Sequence, residues 1–192
     1  MINTLLILVS LIIIYYVYKY LYKLFNSTSV RSNIDGRFYT VRNTVNKQES
    51  ADTISHINIR IKKLLQHLKS QGDCGKFQKN VDLLLLKYNE NNIKENIDLQ
   101  DTSYTVNKGQ EISFCIATRD SHEKIYDINK LMYVSIHESA HVGCESIGHG
   151  EEFIYFFRFL INQSIKCGVY QYVDYSKKPE EYCGMTLSQN IL

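Results

Sequence analysis

Three of the six histidines in this chain fall between His137 and His149, in the stretch HESAHVGCESIGHGEEF. His137 and His141 are four positions apart, so on a helix both imidazoles project from one face and can hold one metal ion. Glu138 lies about 100° around the same helix, within reach of a water molecule on that metal. The spacing therefore favours a Zn²⁺ ion that activates water for hydrolysis, with Glu138 as the catalytic residue.

A third ligand has to come from outside this helix, because three positions along a straight helix cannot surround one ion. Gly143 and the sequence GHG at 148–150 allow the chain to leave the helix and return. We therefore predict His149 as the third ligand. Glu151 and Glu152, at the start of the next predicted helix, are the alternatives, together with Glu145, which shares the face of His141 but lies farther along the helix axis.

The first of two functional hypotheses is an enzyme. Three neutral imidazoles leave one position of Zn²⁺ open, where a bound water can reach a pKa of about 7. Glu138 would take the proton of this water as it attacks a peptide carbonyl, and then pass it to the leaving amine. The chain would be a zinc metallopeptidase with a peptide or protein substrate. Tyr172, Tyr175 and Tyr182 are candidates for stabilising the oxyanion, with packing as their main alternative role.

The second hypothesis is a non-catalytic membrane or virion structural or assembly protein with a structural zinc site. Structural sites fill all four positions, and Cys144 or a further carboxylate could supply the fourth ligand. Glu138 favours the enzyme, because a structural site needs no general base. A third possibility, a membrane-tethered binding module without metal, requires the histidine cluster to be accidental.

The N-terminal sequence predicts a transmembrane anchor over residues 1–25. This segment carries no charge before Lys19, and about 20 apolar residues cross a hydrocarbon layer of ~30 Å as a helix. A cleaved signal peptide would show a basic start and a small-residue cleavage site, which are absent. Lys19, Lys23 and Arg31 all follow the apolar run, so the positive-inside rule predicts a single-pass protein with a cytosolic C-terminal domain.

Composition argues against two further classes of protein. The formal net charge of +2 is too small for a nucleic-acid-binding domain, so no nucleic-acid partner is expected. The five cysteines are odd in number and include no CxxC pair, which favours reduced thiols over a disulfide framework.

The remaining sequence predicts an α+β domain. Residues 26–50 are polar and indicate a linker, which leaves 51–192 as the folded domain. Two predicted helices precede the segments TSYTV and EISFCIATR, which indicate a β-hairpin around NKGQ. The histidine helix begins after Asp127, and a second apolar helix ends near Gly168. We expect a small β-sheet over the active-site helix, with EISFCIATR as the edge strand that pairs with an extended substrate.

The motif HESAH followed by GHGEEF resembles the minimal zincins of the SprT and WLM types, in which a third histidine precedes a phenylalanine as His149 precedes Phe153. A longer pattern includes TSYTVNKG, NKLMYVSIHESAH, DYSKKPEEYCGM and the N-terminal apolar segment. This pattern resembles uncharacterised, membrane-anchored metallopeptidase-like proteins of giant (nucleocytoplasmic large) DNA viruses. The resemblance implies a minimal zincin-like domain with His137, His141 and His149 as zinc ligands and Glu138 as catalyst. It supplies no substrate, and leaves open whether the membrane belongs to the virion or the host.

Overall fold

The computed structural model describes residues 2–192, and for residues 2 and 3 it describes the backbone alone. The predicted α+β class is confirmed, with five α-helices and three small sheets in the described part of the chain. The helices are α1 (Ile2–Asn26), α2 (Lys47–Gln71), α3 (Gln78–Lys87), α4 (Ile128–Gly143) and α5 (Glu151–Lys166). The strands are β1 (Ser27–Arg31), β2 (Phe38–Arg42), β3 (Ile93–Glu95), β4 (Tyr104–Val106), β5 (Glu111–Phe114), β6 (Glu180–Tyr182) and β7 (Met185–Leu187).

Helix α1 covers the segment for which an anchor was predicted, apart from Met1, which lies outside the described residues. Its segment Thr4–Asn26 is long and apolar enough to cross a membrane, and the apolar part of it is not buried against the rest of the chain. A core helix of the same composition would be covered by other elements. The exposed apolar surface of α1 therefore excludes a role as a core helix of the folded domain.

Residues 27–42 form an antiparallel hairpin of β1 and β2, in place of the linker that their polarity suggested. Tyr39 and Val41 project from β2 into the core, and the Tyr39 hydroxyl accepts a hydrogen bond from Asn58 on α2. The sequence does not predict this hairpin because alternate residues of a strand face opposite sides of the sheet. Few of its residues are therefore apolar, and the segment as a whole is polar. The folded domain therefore begins directly after α1, at Ser27.

Helix α4 occupies the centre of the domain, where it packs against α2, α3 and α5. Its last residue, Gly143, lies in close contact with two of these helices. A Cβ atom there would lie 2.5 Å from Cε1 of Phe156 on α5 and 2.8 Å from the main-chain oxygen of Asn80 on α3. Since both distances are far below van der Waals contact, glycine is required where α4 ends.

The predicted hairpin of β4 and β5 is present, with the turn at Asn107, Lys108 and Gly109 in the left-handed backbone region. Its place in the sheet differs from the prediction. The strand order is β3-β5-β4, so β5 is central and β4 is the edge. β3 pairs parallel with β5 and lies in the segment between α3 and β4, for which no strand was predicted. Three residues are too short for a strand to show an alternating pattern, which explains why β3 was missed.

The expectation that the cysteines stay reduced is wrong for one pair. Cys115, directly after β5, forms a disulfide with Cys183 in the turn between β6 and β7. The two cysteines are 68 positions apart, so their spacing in the sequence does not predict the pair. The fold brings their Cα atoms within 6.4 Å of each other, which allows the bond. The disulfide fixes the C-terminal hairpin to the three-stranded sheet. Cys74, Cys144 and Cys167 are free.

The disulfide is expected to stabilise the domain. Replacing Cys115 and Cys183 together by alanine should lower the free energy of unfolding by up to about 4 kcal/mol, the loop-closure contribution of a bridge across this separation. Urea denaturation of the full-length chain in detergent micelles measures the change, with Cys167→Ala as the control. An unchanged midpoint in the double variant would show that the bridge does not contribute.

Candidate metal centre

The side chains of His137, His141 and His149 converge on one point. The Nε2 atoms of His137 and His141, one turn apart on α4, are 3.2 Å from each other. His149 Nε2 lies 3.1 Å from each of them. The three nitrogens therefore form a nearly equilateral triangle at the mouth of a pocket.

The triangle fits a tetrahedral zinc ion. With zinc–nitrogen bonds of about 2.0–2.1 Å, two ligand atoms at the tetrahedral angle lie about 3.3 Å apart, close to the observed 3.1–3.2 Å. Imidazole nitrogen is also among the preferred ligands of this ion. Within residues 2–192, no further histidine, cysteine or carboxylate joins the group, so a bound zinc ion would keep one position for water or substrate.

Two of these imidazoles are held in the neutral form that binds metal. Burial, together with the neighbouring imidazoles, lowers the pKa of His137 to about 3. Burial also lowers the pKa of His141 to about 4, with smaller contributions from His149 and Lys108. At neutral pH both rings therefore have an unprotonated nitrogen available as a ligand.

The turn from 144 to 150 brings His149 back to the helix, and Glu152 holds it in place. The Glu152 carboxylate accepts hydrogen bonds from the main-chain N–H groups of Glu145 (3.1 Å) and Ser146 (2.9 Å). It also accepts one from Asn80 Nδ2 at 2.8 Å, and the same amide nitrogen donates to the Gly143 carbonyl at the end of α4. Burial raises the pKa of Glu152, but a hydrogen bond from the Ser146 side chain, together with the main-chain and Asn80 hydrogen bonds, outweighs it and lowers the pKa to about 2.

The alternative ligands weighed from the sequence lie elsewhere. Glu152 is engaged in the turn, and Glu151 is exposed at the start of α5. Glu145 pairs with Lys79 at 2.5 Å. Cys144 is fully buried in the hydrophobic core.

Phe153 forms the apolar support of the histidine cluster. Its ring is stacked on His141, with centroids 4.3 Å apart, and meets His137 and His149 edge-on at 4.8 Å. The residue belongs to the first turn of α5 and is almost fully buried. Its position four residues after His149 thus places an aromatic surface against all three imidazoles.

Glu138 is buried beside the cluster, with 4% of its surface exposed. Its Oε2 atom accepts a hydrogen bond of 2.8 Å from the Thr105 hydroxyl on β4. Burial raises the pKa of Glu138 to about 7, and the hydrogen bond from Thr105 opposes this rise. A carboxylate with a pKa near neutrality is suited to take and return a proton at physiological pH.

The cluster and Glu138 line a pocket of about 660 Å³. Its walls come from α4, the turn at 147–149, the β4 hairpin and the C-terminal hairpin. The sequence motif indicated the α4 wall, but not Thr105 and Lys108 on the β4 hairpin or Met185 and Leu187 on β7. The predicted strand TSYTV contains Thr105 and the predicted turn NKGQ contains Lys108, whereas no predicted element covered Met185 and Leu187.

Of the three tyrosines considered for the oxyanion, Tyr182 alone lines this pocket. Its hydroxyl donates to the Cys115 carbonyl at 2.7 Å and is also hydrogen-bonded to Ser103 at 2.5 Å. Tyr175 packs against Tyr133 in the core, and Tyr172 donates to Asn190. Because its hydroxyl already has partners within the fold, Tyr182 serves to hold the pocket wall.

We expect Glu152→Gln to weaken zinc binding by roughly tenfold or more, a usual effect of losing a group that orients a ligand. The substitution removes one acceptor from the turn that carries His149. Competition with a chromogenic zinc chelator measures the affinity, and Glu151→Gln is the matched control on the adjacent, exposed carboxylate. Equal affinities in the two variants would show that Glu152 does not position His149.

Comparison with known proteins gives three viral relatives, while no protein-family model and no solved structure matches the chain. The chain is 36% identical over 165 residues to "Uncharacterized protein R325" of Acanthamoeba polyphaga mimivirus, covering 85% of this chain and 83% of the relative. It is 32% identical over 150 residues to "Uncharacterized protein 042R" of Invertebrate iridescent virus 3, covering 64% and 90%. It is 38% identical over 90 residues to "Uncharacterized protein 136R" of Invertebrate iridescent virus 6, covering 45% and 50%. The chain therefore belongs to the same viral protein family as the mimivirus protein R325.

Proposed function

We propose that the chain is a membrane-anchored zinc metallopeptidase with a zincin-like active site. The observation that carries the proposal is the convergence of His137, His141 and His149, with Nε2 atoms 3.1–3.2 Å apart, beside the buried carboxylate of Glu138. A pocket of about 660 Å³ gives a substrate access to both groups. Metal ligands, general base and substrate pocket thus meet at one place.

The three histidines would hold the zinc ion through Nε2, as neutral imidazoles. When bound, zinc polarises a peptide carbonyl and makes water a stronger nucleophile at neutral pH. Glu138 takes the proton of the attacking water and transfers it to the nitrogen of the leaving amine. Its raised pKa allows both steps, because the carboxylate is a better base than an exposed glutamate and still releases the proton readily.

Substrate binding is assigned to β4, which corrects the sequence-based choice of β5. β4 pairs with β5 on one side, and its residues Tyr104 and Thr105 line the pocket. An extended peptide can therefore add to the sheet along the other side of β4 through main-chain hydrogen bonds. Met185 and Leu187 on β7 offer apolar surface for its side chains.

The structural-zinc alternative is less consistent with this site. A structural site needs four protein ligands, and only three ligand groups converge among residues 2–192. Cys144, the proposed fourth ligand, is fully buried in the core, and burial raises the pKa of its thiol to about 12. Cys144 also lies outside the group of side chains whose ligand atoms converge on the site.

The enzymatic proposal predicts that Glu138→Gln abolishes hydrolysis and leaves the metal in place. The amide is nearly isosteric but cannot accept a proton, so cleavage of a broad peptide library should fall by two or more orders of magnitude. Elemental analysis should still find one zinc ion per chain, while His141→Ala should lose it. Glu145→Gln, an exposed carboxylate outside the pocket, is the control. Full activity in Glu138→Gln would contradict the mechanism.

We propose further that α1 anchors the enzyme as a single span. Two features give opposite indications of its orientation. Lys19, Lys23 and Arg31 follow the apolar segment and favour a cytosolic domain. The disulfide Cys115–Cys183 favours a compartment in which thiols are oxidised.

Carbonate extraction and protease protection test the anchor and its orientation. We expect the full-length chain to remain in the membrane pellet at high pH, because α1 presents an apolar surface along its length. Release into the supernatant would contradict an integral anchor. Digestion of the domain by protease added to sealed vesicles from the cytosolic side supports the orientation given by the basic residues. Protection supports the orientation given by the disulfide.

A further inference from the structure

We infer that Thr105 is a positioning residue for the general base Glu138. The inference rests on the proposed peptidase function and deepens it. No sequence motif singles out this threonine, because it lies 33 positions before Glu138 and meets it only through the packing of β4 on α4.

The contact between these residues has a defined direction. The Thr105 hydroxyl oxygen is 2.8 Å from Oε2 of Glu138 and 3.4 Å from the main-chain oxygen of the same residue. A hydroxyl group has one hydrogen, which goes to the closer and charged acceptor. Thr105 therefore donates to the carboxylate.

The two oxygens of the Glu138 carboxylate have different surroundings. Within residues 2–192, Oε2 has the Thr105 hydroxyl as its hydrogen-bond partner, while Oε1 has none. The hydrogen bond restrains rotation of the carboxylate, which belongs to a side chain that is 4% exposed. Oε1 is thus the oxygen available to take a proton.

The position of Thr105 connects the base to the substrate. Thr105 is the middle residue of β4, where it is paired with Ile112 of β5. A β-branched side chain has few accessible rotamers, so the strand backbone sets the direction of its hydroxyl. A peptide that pairs with the free side of β4 would therefore lie at a fixed distance from Glu138, because the same strand binds the peptide and positions the Glu138 carboxylate.

Thr105→Val and Thr105→Ser test this role. Valine keeps the shape and removes the hydroxyl, so kcat should fall roughly tenfold to hundredfold, the effect of losing one hydrogen bond to a charged group. KM and zinc affinity should stay within about threefold, because valine keeps the shape of the pocket wall and the histidines are unchanged. Serine retains the hydroxyl and should restore most of kcat. Thr40→Val, the same change on the exposed side of β2, is the matched control.

A stability measurement provides a readout that does not depend on catalysis. In the metal-free full-length protein, Thr105→Val should lower the melting temperature by a few degrees. The same substitution in the Glu138→Met background should have little effect, since the hydrogen bond is already lost. Additive shifts in the two backgrounds would overturn the assigned contact.

The kinetic outcomes separate this inference from the proposed function. A wild-type protein that binds no zinc and cleaves no peptide removes the peptidase proposal, whatever the melting data show. An active wild type with an equally active Thr105→Val variant, or a Thr105→Ser variant that fails to recover kcat, overturns the role of Thr105 alone.

Discussion

Two histidines on one helix and a third from outside it bring their Nε2 atoms within 3.1–3.2 Å of one another. The periodicity of helix α4 places His137 and His141 on one face, but no further position of this straight helix can reach the same point. The helix therefore has to end at Gly143. The chain then has to reverse direction so that His149, eight positions after His141, reaches the two histidines of α4. The rest of the site depends on this reversal, because a small displacement of the turn would separate the three nitrogens.

The reversal is held by its neighbours. Gly143 permits close contact of α4 with α3 and α5, where a side chain would collide with Phe156 and Asn80. Glu152 accepts hydrogen bonds from the main chain of the turn, and Asn80 connects that carboxylate to the end of α4. The ring of Phe153 packs against all three imidazoles. The short motif GHGEEF thus combines His149 with the residues that position it.

The second feature of the site is a buried carboxylate beside the histidines. Burying a charged group is unfavourable unless a polar partner compensates. The Thr105 hydroxyl is that partner for Glu138, and burial raises the pKa of the acid towards neutrality. The pocket walls are fixed in turn by the disulfide Cys115–Cys183 and by the hydrogen bonds of Tyr182, which join the C-terminal hairpin to the sheet.

The sequence by itself determined the features that arise from local periodicity. The spacing of His137 and His141 defined one helix face, Asp127 marked the start of that helix, and the apolar run of α1 indicated a possible membrane span. The pair of β4 and β5 was also readable, because the turn NKGQ carries residues that adopt left-handed backbone. These features depend on residues close together in the chain.

The tertiary structure decided everything that depends on distant pairs. The order β3-β5-β4 made β4 the edge strand, since a sheet edge is set by long-range pairing and not by composition. The hairpin of β1 and β2, the disulfide and the contact of Thr105 with Glu138 join segments that carry no local signal of one another. A sequence pattern of two histidines and a glutamate therefore predicts which residues share one helix face. The residues that surround this face are determined only by the packing of the fold.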